Sequence, residues 1–275
     1  MRRPQNRGSP IDMRRMRDWV SEFAGYRIGI NDGRVDRWLS QFEDTDKDIA
    51  ARILDSIDYV SQQQMAAAFR DVLNGLPGWS QNSSERVGKW RFVAFSGSAG
   101  ESGDTMLHIF RRANNLANSR FNELFIHRSD LLRESFEPED TVVFIDDFTG
   151  TGNQACRAWQ DTFAELLPSG PNSYLMLIRA SDKAAQRISE ETELQVAAHN
   201  ILTESDDIFS PRCTYFNAHE KDRILHYCRS ADRENPRGFG NCGMVVVFQH
   251  SCPNNSIPIL HVTNQHWVGV FQAFD

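Results

Sequence analysis

The sequence predicts an α/β protein with a helical N-terminal extension, its core a parallel sheet covered by helices. Three observations carry this. Apolar residues recur at helical spacing through the first third of the chain. A turn signal, Gly75-Leu76-Pro77-Gly78, and a polar stretch from Ser80 to Glu85 then close that region. Beyond it, short β-rich runs alternate with helical patterns, the signature of strands joined by crossover helices.

Taken in order, residues 1–10 are rich in Pro, Gly, Asn and Arg without a hydrophobic period and read as a flexible basic arm. Residues 11–80 read as the helical extension. Met13, Met16, Trp19, Val20 and Phe23 form one face, and Val35, Trp38, Leu39 and Phe42 form the next. A longer stretch from Asp46 to Leu76 reads as two helices broken near Tyr59 to Gln64. Residues 85–275 read as the α/β domain. Its strands are expected at 91–95, 123–126, 141–145, 174–178 and 194–198, with helices at 105–117, 153–166 and 182–191. The last part is expected to hold a helix over 214–230 and strands at 244–248 and 268–271.

Composition sets the outer limits. With 40% hydrophobic residues and 17 glycines in 275, the chain falls in the globular range. Apolar runs reach about five residues near Met244 to Phe248, against the roughly 18 needed for a membrane span. Polar and charged residues continue where a secretory signal would need its apolar segment. The five cysteines are odd in number and lack a CxxC pair, which fits reduced thiols and a cytoplasmic location. The net charge is −7, yet six arginines and one aspartate stand in residues 1–17, so a basic arm precedes an acidic body. Such an arm can touch nucleic acid through counterion release or simply be solvated.

The chemistry concentrates in Val142-Val143-Phe144-Ile145-Asp146-Asp147-Phe148-Thr149-Gly150-Thr151-Gly152-Asn153-Gln154. A buried strand runs into two acids, then a Gly/Thr loop, then a helix. Glycines allow a tight turn, and amides at a helix N-terminus bind an anion such as phosphate. Two carboxylates at a strand end accept hydrogen bonds from vicinal hydroxyls or hold a hard cation such as Mg²⁺. The same residues also read Gly150-x-Gly152-x-x-Ala155, a dinucleotide fingerprint. Against that fingerprint, Asp146 and Asp147 would bring negative charge to a pyrophosphate, and the ribose-binding acid of such sites, about 20 residues later, is missing.

The segment resembles the signature of the type I phosphoribosyltransferases: four apolar residues, two acids, three residues, then Thr-Gly-x-Thr. Thr151 and Gly152 are in register, whereas Phe148, Thr149 and Gln154 depart from the pattern. Gly150 stands where purine-salvage members carry an acid that assists the base, so no general base carries over. The resemblance implies that Asp146 and Asp147 hold the ribose hydroxyls of phosphoribosyl pyrophosphate and a Mg²⁺ ion. It also implies that Thr149, Gly150, Thr151, Gly152, Asn153 and Gln154 cradle the 5′-phosphate. The family's pyrophosphate loop is expected at Ser96, Gly97, Ser98, Ala99 and Gly100, with Arg128 as a candidate pyrophosphate partner or a solvated arginine.

A narrower likeness rests on GFGNCGMVVVFQHSCPNNSIPIL, residues 238–260. Together with the acid pair and the helical start, it is similar to phosphoribosyltransferase-like proteins of bacterial anti-phage cassettes, some linked to retron reverse transcriptases. That likeness implies a protein or nucleic-acid partner, and an acceptor pocket that includes Asn254 and Asn255. The alternative for these two is an Asx turn bonded to its own backbone. Cys242, His250, Cys252, His261 and His266 match no common zinc spacing. Two activities follow as expectations: a phosphoribosyltransferase, or a catalytically inactive module that senses a nucleotide and acts through a partner.

Overall fold

The computed structural model describes residues 11–95, 102–167 and 170–272. They form two compact units: residues up to Ser61 together with those from Leu202 onward, and residues 62–201. This partition differs from a split near residues 80–85, and packing explains why. The helices before Ser61 share one core with the C-terminal segment, whereas the helix that follows packs on the sheet of 62–201.

The first unit opens with α1 (Met13–Glu22), α2 (Asp32–Leu39) and α3 (Lys47–Ser56). Asp12 and Asn31 cap the first two, their side chains accepting from the Arg15 and Arg34 amides at 2.8 and 3.0 Å. The break expected near Tyr59 is a strand, β1 (Asp58–Val60).

The second unit contains α4 (Gln62–Gly75), β2 (Trp90–Ala94), α5 (Ser102–Ala113), β3 (Thr141–Ile145) and β4 (Phe148–Thr149). There follow α6 (Asn153–Ala158), α7 (Ala164–Leu166), β5 (Asn172–Ser181), α8 (Asp182–Glu191) and β6 (Gln195–Leu202). The helix expected over 153–166 is thus divided: a wider turn over Trp159–Phe163 separates α6 from α7.

The C-terminal segment completes the first unit with α9 (Ala218–Ala231) and β7 (Val246–Phe248). β7 pairs in parallel with β1 from Asp58↔Val246 to Val60↔Phe248. α9 starts at Ala218 because Asn217 and Glu220 form a reciprocal capping box. The indoles of Trp38 and Trp267 both donate to the Ile259 carbonyl, at 2.7 and 2.9 Å.

In the second unit β2, β3 and β5 are mutually parallel, with β6 beside β5. Two sequence expectations are corrected. Residues 119–124 form a short helical turn, with only Phe125 bridging Phe92, because the Asn118 side chain caps the turn and Phe121 and Leu124 bury one face. Residues 268–271 form no named strand: Val268 bridges Thr263 alone, and Gly269 lies so close to the Leu260–His261 backbone that a Cβ there would fall 2.7 Å from the His261 carbonyl carbon.

With Phe125 on the outer edge of β2, the sheet reads Phe125, β2, β3, β5, β6, and the short β4 also pairs with β5. The chain therefore starts at β2, goes first to one side and then crosses to the other. That makes β2 and β3 the point where the winding reverses, the place where α/β sheets bind ligands, beyond their strands' carboxyl ends. No helix among the described residues is long and apolar enough to cross a membrane.

Candidate functional site

All five residues of β3 are buried, and the strand delivers Asp146 and Asp147 to its carboxyl end at 6% and 9% exposure. Phe95, just after β2, donates to the Ile145 carbonyl at 3.0 Å, so both strand ends lie side by side. The acids are fixed through their backbone. Asp146 N donates to Met176 O at 3.1 Å, and Asp147 O accepts from Ile178 and Arg179 at 3.0 and 3.2 Å. The Asp146 carboxylate accepts the Asp147 amide at 3.0 Å. Register along β5 is the same before and after the pair, Ile145↔Met176 and Phe148↔Arg179, so the acids interrupt the ladder without an inserted residue.

The loop after β4 is anchored from below. Ser181 Oγ, 4% exposed as a residue, donates to Gly150 O at 2.7 Å and accepts the Ala184 amide at 2.9 Å, which also caps α8. Gly152 has φ +74°, and a Cβ there would stand 3.3 Å from both Ala184 O and Ile188 Cγ1. Its left-handed backbone favours glycine, and any side chain there would crowd α8. Thr151 Oγ1 accepts the Asn153 amide at 3.3 Å. Asn153 Oδ1 is bonded to the Arg187 guanidinium, which also meets Glu191 at 2.7 Å. Thr149 and Thr151 are half-buried, Gly150 and Gly152 buried, and Gln154 exposed.

Ser181 and Arg187 are the two residues that the sequence motifs do not single out. Each acts across more than 30 residues of chain, and the only local signal is a Ser-Asp helix start after a buried strand. Replacing Ser181 by Ala removes the donor to Gly150 and the cap on α8. We expect this to cost about 1–2 kcal/mol in urea unfolding, with Ser181→Thr recovering part of it.

The other expected site residues fall in different places. Arg128 stands 5.7 Å over the ring of Phe163, which in turn meets Phe95 at 5.8 Å and Phe144 at 4.3 Å. It therefore joins the aromatic cluster beneath the ends of β2 and β3. Ser96, Gly97, Ser98, Ala99 and Gly100 lie outside the described residues. Asn254 and Asn255 belong to the other unit, where Asn255 Nδ2 donates to Phe239 O at 3.0 Å and Cys242 Sγ at 3.5 Å, and Asn254 O accepts the Phe239 amide.

Among the described residues no group of three or more His, Cys, Asp or Glu is arranged to hold a metal ion. Two adjacent carboxylates still offer the hard oxygen donors that Mg²⁺ takes, and Mg²⁺ commonly completes its shell with water and substrate phosphates. Asp146 and Asp147 fit that partial role.

The acid pair is placed at a topological reversal with a glycine loop behind it, and among known families the PRTase-CE family model matches residues 35–272. The chain belongs to the PRTase-CE family. No curated protein matches it. The PRTase-CE match runs through both compact units and takes in α2, α3, the acid pair and the C-terminal segment. It assigns the chain a phosphoribosyltransferase-like fold and function, in agreement with the parallel sheet.

Proposed function

We propose that this PRTase-CE protein binds Mg²⁺-phosphoribosyl pyrophosphate at the carboxyl ends of β2 and β3 and transfers the ribosyl 5-phosphate group to a nitrogen acceptor. The observation that carries the reading is the acid pair on β3, followed by a loop that Ser181 and Gly152 hold against α8. Asp146 and Asp147 accept the ribose hydroxyls. Residues 149–154 present amides and hydroxyls to the 5′-phosphate.

In such a transfer the sugar carbon becomes positive while pyrophosphate leaves, so the protein acts by positioning and by donors aimed at the leaving group. Bound Mg²⁺ neutralises part of the pyrophosphate charge. Arg128 and residues 96–100 are the groups assigned to the leaving pyrophosphate. Because Gly150 offers no base, the acceptor must bring a nitrogen that is nucleophilic without help from this loop.

Titration calorimetry tests the binding step. Phosphoribosyl pyrophosphate is expected to bind with Mg²⁺ present and at least about tenfold more weakly after chelation, as for ligands whose phosphates share the ion with the protein. Equal affinity with and without Mg²⁺ refutes the cation's role, and no binding in either condition refutes the reading.

Gly150 and the exposed Gln154 favour a second reading, a nucleotide-sensing module without catalysis. Pyrophosphate release on addition of a nucleobase or nucleotide acceptor separates the two. In either case the likeness of residues 238–260 to proteins of anti-phage cassettes supports a defence role with a protein or nucleic-acid partner. Phage plating on cells that carry the intact cassette, with or without Asp146→Asn and Asp147→Asn, measures that role.

A further inference from the structure

The unit of residues 62–201 carries a second concave feature, a cavity of about 650 Å³, within the roughly 300–1,000 Å³ of small-molecule sites. Its walls include Gln81, Ser83, Arg86, Arg120, Phe121 and Glu123. Residues 81–86 lead into Trp90, the first residue of β2, and 120–123 lead into Phe125, the residue that bridges Phe92. The cavity therefore lies at the amino ends of the strands, opposite to Asp146 and Asp147. Five residues of strand separate the two edges by roughly 16 Å.

Two guanidiniums line this cavity, each placed on an aromatic ring. Arg86 lies 5.5 Å over Trp79 and Arg120 4.5 Å over Phe121. Among the described residues neither guanidinium has an ion-pair partner within 4.0 Å or a hydrogen bond, and Arg86 Nη1 is buried without a partner. Burial pulls the Arg86 guanidinium below the ordinary arginine range, against the opposing charge of Glu123. A partly desolvated, unpaired cation is costly unless an anion meets it.

The acids on the wall are not equivalent. Glu85 is already taken, its carboxylate accepting from Ser80 Oγ at 3.0 Å and Asn82 Nδ2 at 3.2 Å. Glu123 has no such donors among the described residues, and with Gln81 and Ser83 it forms a polar wall suited to hydroxyl groups. Two arginines lining one cavity favour a phosphate over a single-point anion, because a planar fork can bind two oxygens at once.

We propose that this cavity is a second binding site, for a phosphorylated sugar, with the phosphate between Arg86 and Arg120 and the sugar hydroxyls donating to Glu123. It is separate from the site at the acid pair and does not depend on the function given to that site.

The test uses ribose 5-phosphate and the full chain carrying Asp146→Asn with Asp147→Asn, so that any contribution of the acid pair is removed first. Calorimetry is expected to show binding that survives the loss of the acid pair, and the arginine substitutions then report which part of it the cavity supplies. Adding Arg86→Gln with Arg120→Gln should weaken it by about tenfold or more, as the loss of charge-assisted hydrogen bonds implies. Sulfate should bind more weakly than ribose 5-phosphate. No binding in the Asp-substituted chain, affinity unchanged by the Arg substitutions, or sulfate binding as tightly as the sugar phosphate would each overturn the proposal. If the Gln pair does not fold, Arg86→Lys with Arg120→Lys keeps charge and stem packing but not the fork: about threefold weaker binding supports the site, and unchanged affinity overturns it. Phosphoribosyl pyrophosphate binding to the unsubstituted chain, read separately, keeps the two sites' fates distinct.

Discussion

Asp146→Asn combined with Asp147→Asn is expected to weaken phosphoribosyl pyrophosphate binding by at least about 100-fold, while the thermal midpoint changes little. Each carboxylate that accepts a hydroxyl gives a charge-assisted bond worth about 1.5–3 kcal/mol. Two of them lost correspond to about two decades of affinity or more, at roughly 1.4 kcal/mol per decade. The fold should tolerate the change because backbone bonds that the substitutions leave intact help to place the pair: Asp146 N to Met176 O, and Asp147 O from Ile178 and Arg179. An Asn oxygen at position 146 can still accept the amide of residue 147, which the Asp146 carboxylate now holds. Calorimetry beside a melting curve separates the two effects, and undiminished affinity in a folded variant removes the acids from the binding site.

The second large effect concerns stability in the other unit. Asp46 is 4% exposed, and its Oδ2 receives Arg223 Nε at 2.7 Å, Arg223 Nη2 at 2.6 Å and Tyr227 OH at 2.6 Å. Asp46→Asn leaves Arg223 and the tyrosine facing a neutral amide, and we expect a loss of about 3 kcal/mol in urea unfolding at pH 7. Burial pushes the Asp46 carboxyl up, but the hydrogen bonds from Arg223 and Tyr227 prevail and hold it below the ordinary carboxylate range. A folded-state value below the unfolded one, about 3.9, means that the stabilisation is complete above that pH. It is then lost as the pH falls through the unfolded value towards the folded one. The gap between wild type and variant should therefore hold above the unfolded value and narrow as the pH falls below it, and a gap that stays constant there would show that the charge of Asp46 is not what stabilises α9 against the 43–46 turn.

The acid pair and the strand that carries it are legible in the residue pattern alone. Val142 to Ile145 is an unbroken apolar run of the length of a strand buried on both faces, and a motif with two acids and two glycines can hardly be placed elsewhere than at its end. Other features depend on distant partners. The run of apolar residues in α4 says that it has a buried face but not that Phe69 will meet Phe110, 5.8 Å away and across β2 in sequence. Residues 123–126 have the composition of a strand, and it is the cap from Asn118 that winds the preceding residues into a turn instead. Nothing in residues 149–154 points to Ser181 or Arg187, because those two bonds are made by residues that arrive one strand and one helix later.

The carbonyl of Ile259 that receives both Trp38 and Trp267 also fixes an order of events during synthesis. Helices α1 to α3 leave the ribosome well before that carbonyl is made, so Trp38 has no acceptor and Phe23 has no Phe271 to lie against until the last residues of the unit emerge. The segment 62–201 holds its own sheet and can fold while it waits. Nascent chains stalled before Ile259 should thus carry a protease-resistant middle between two ends that are still open to cleavage.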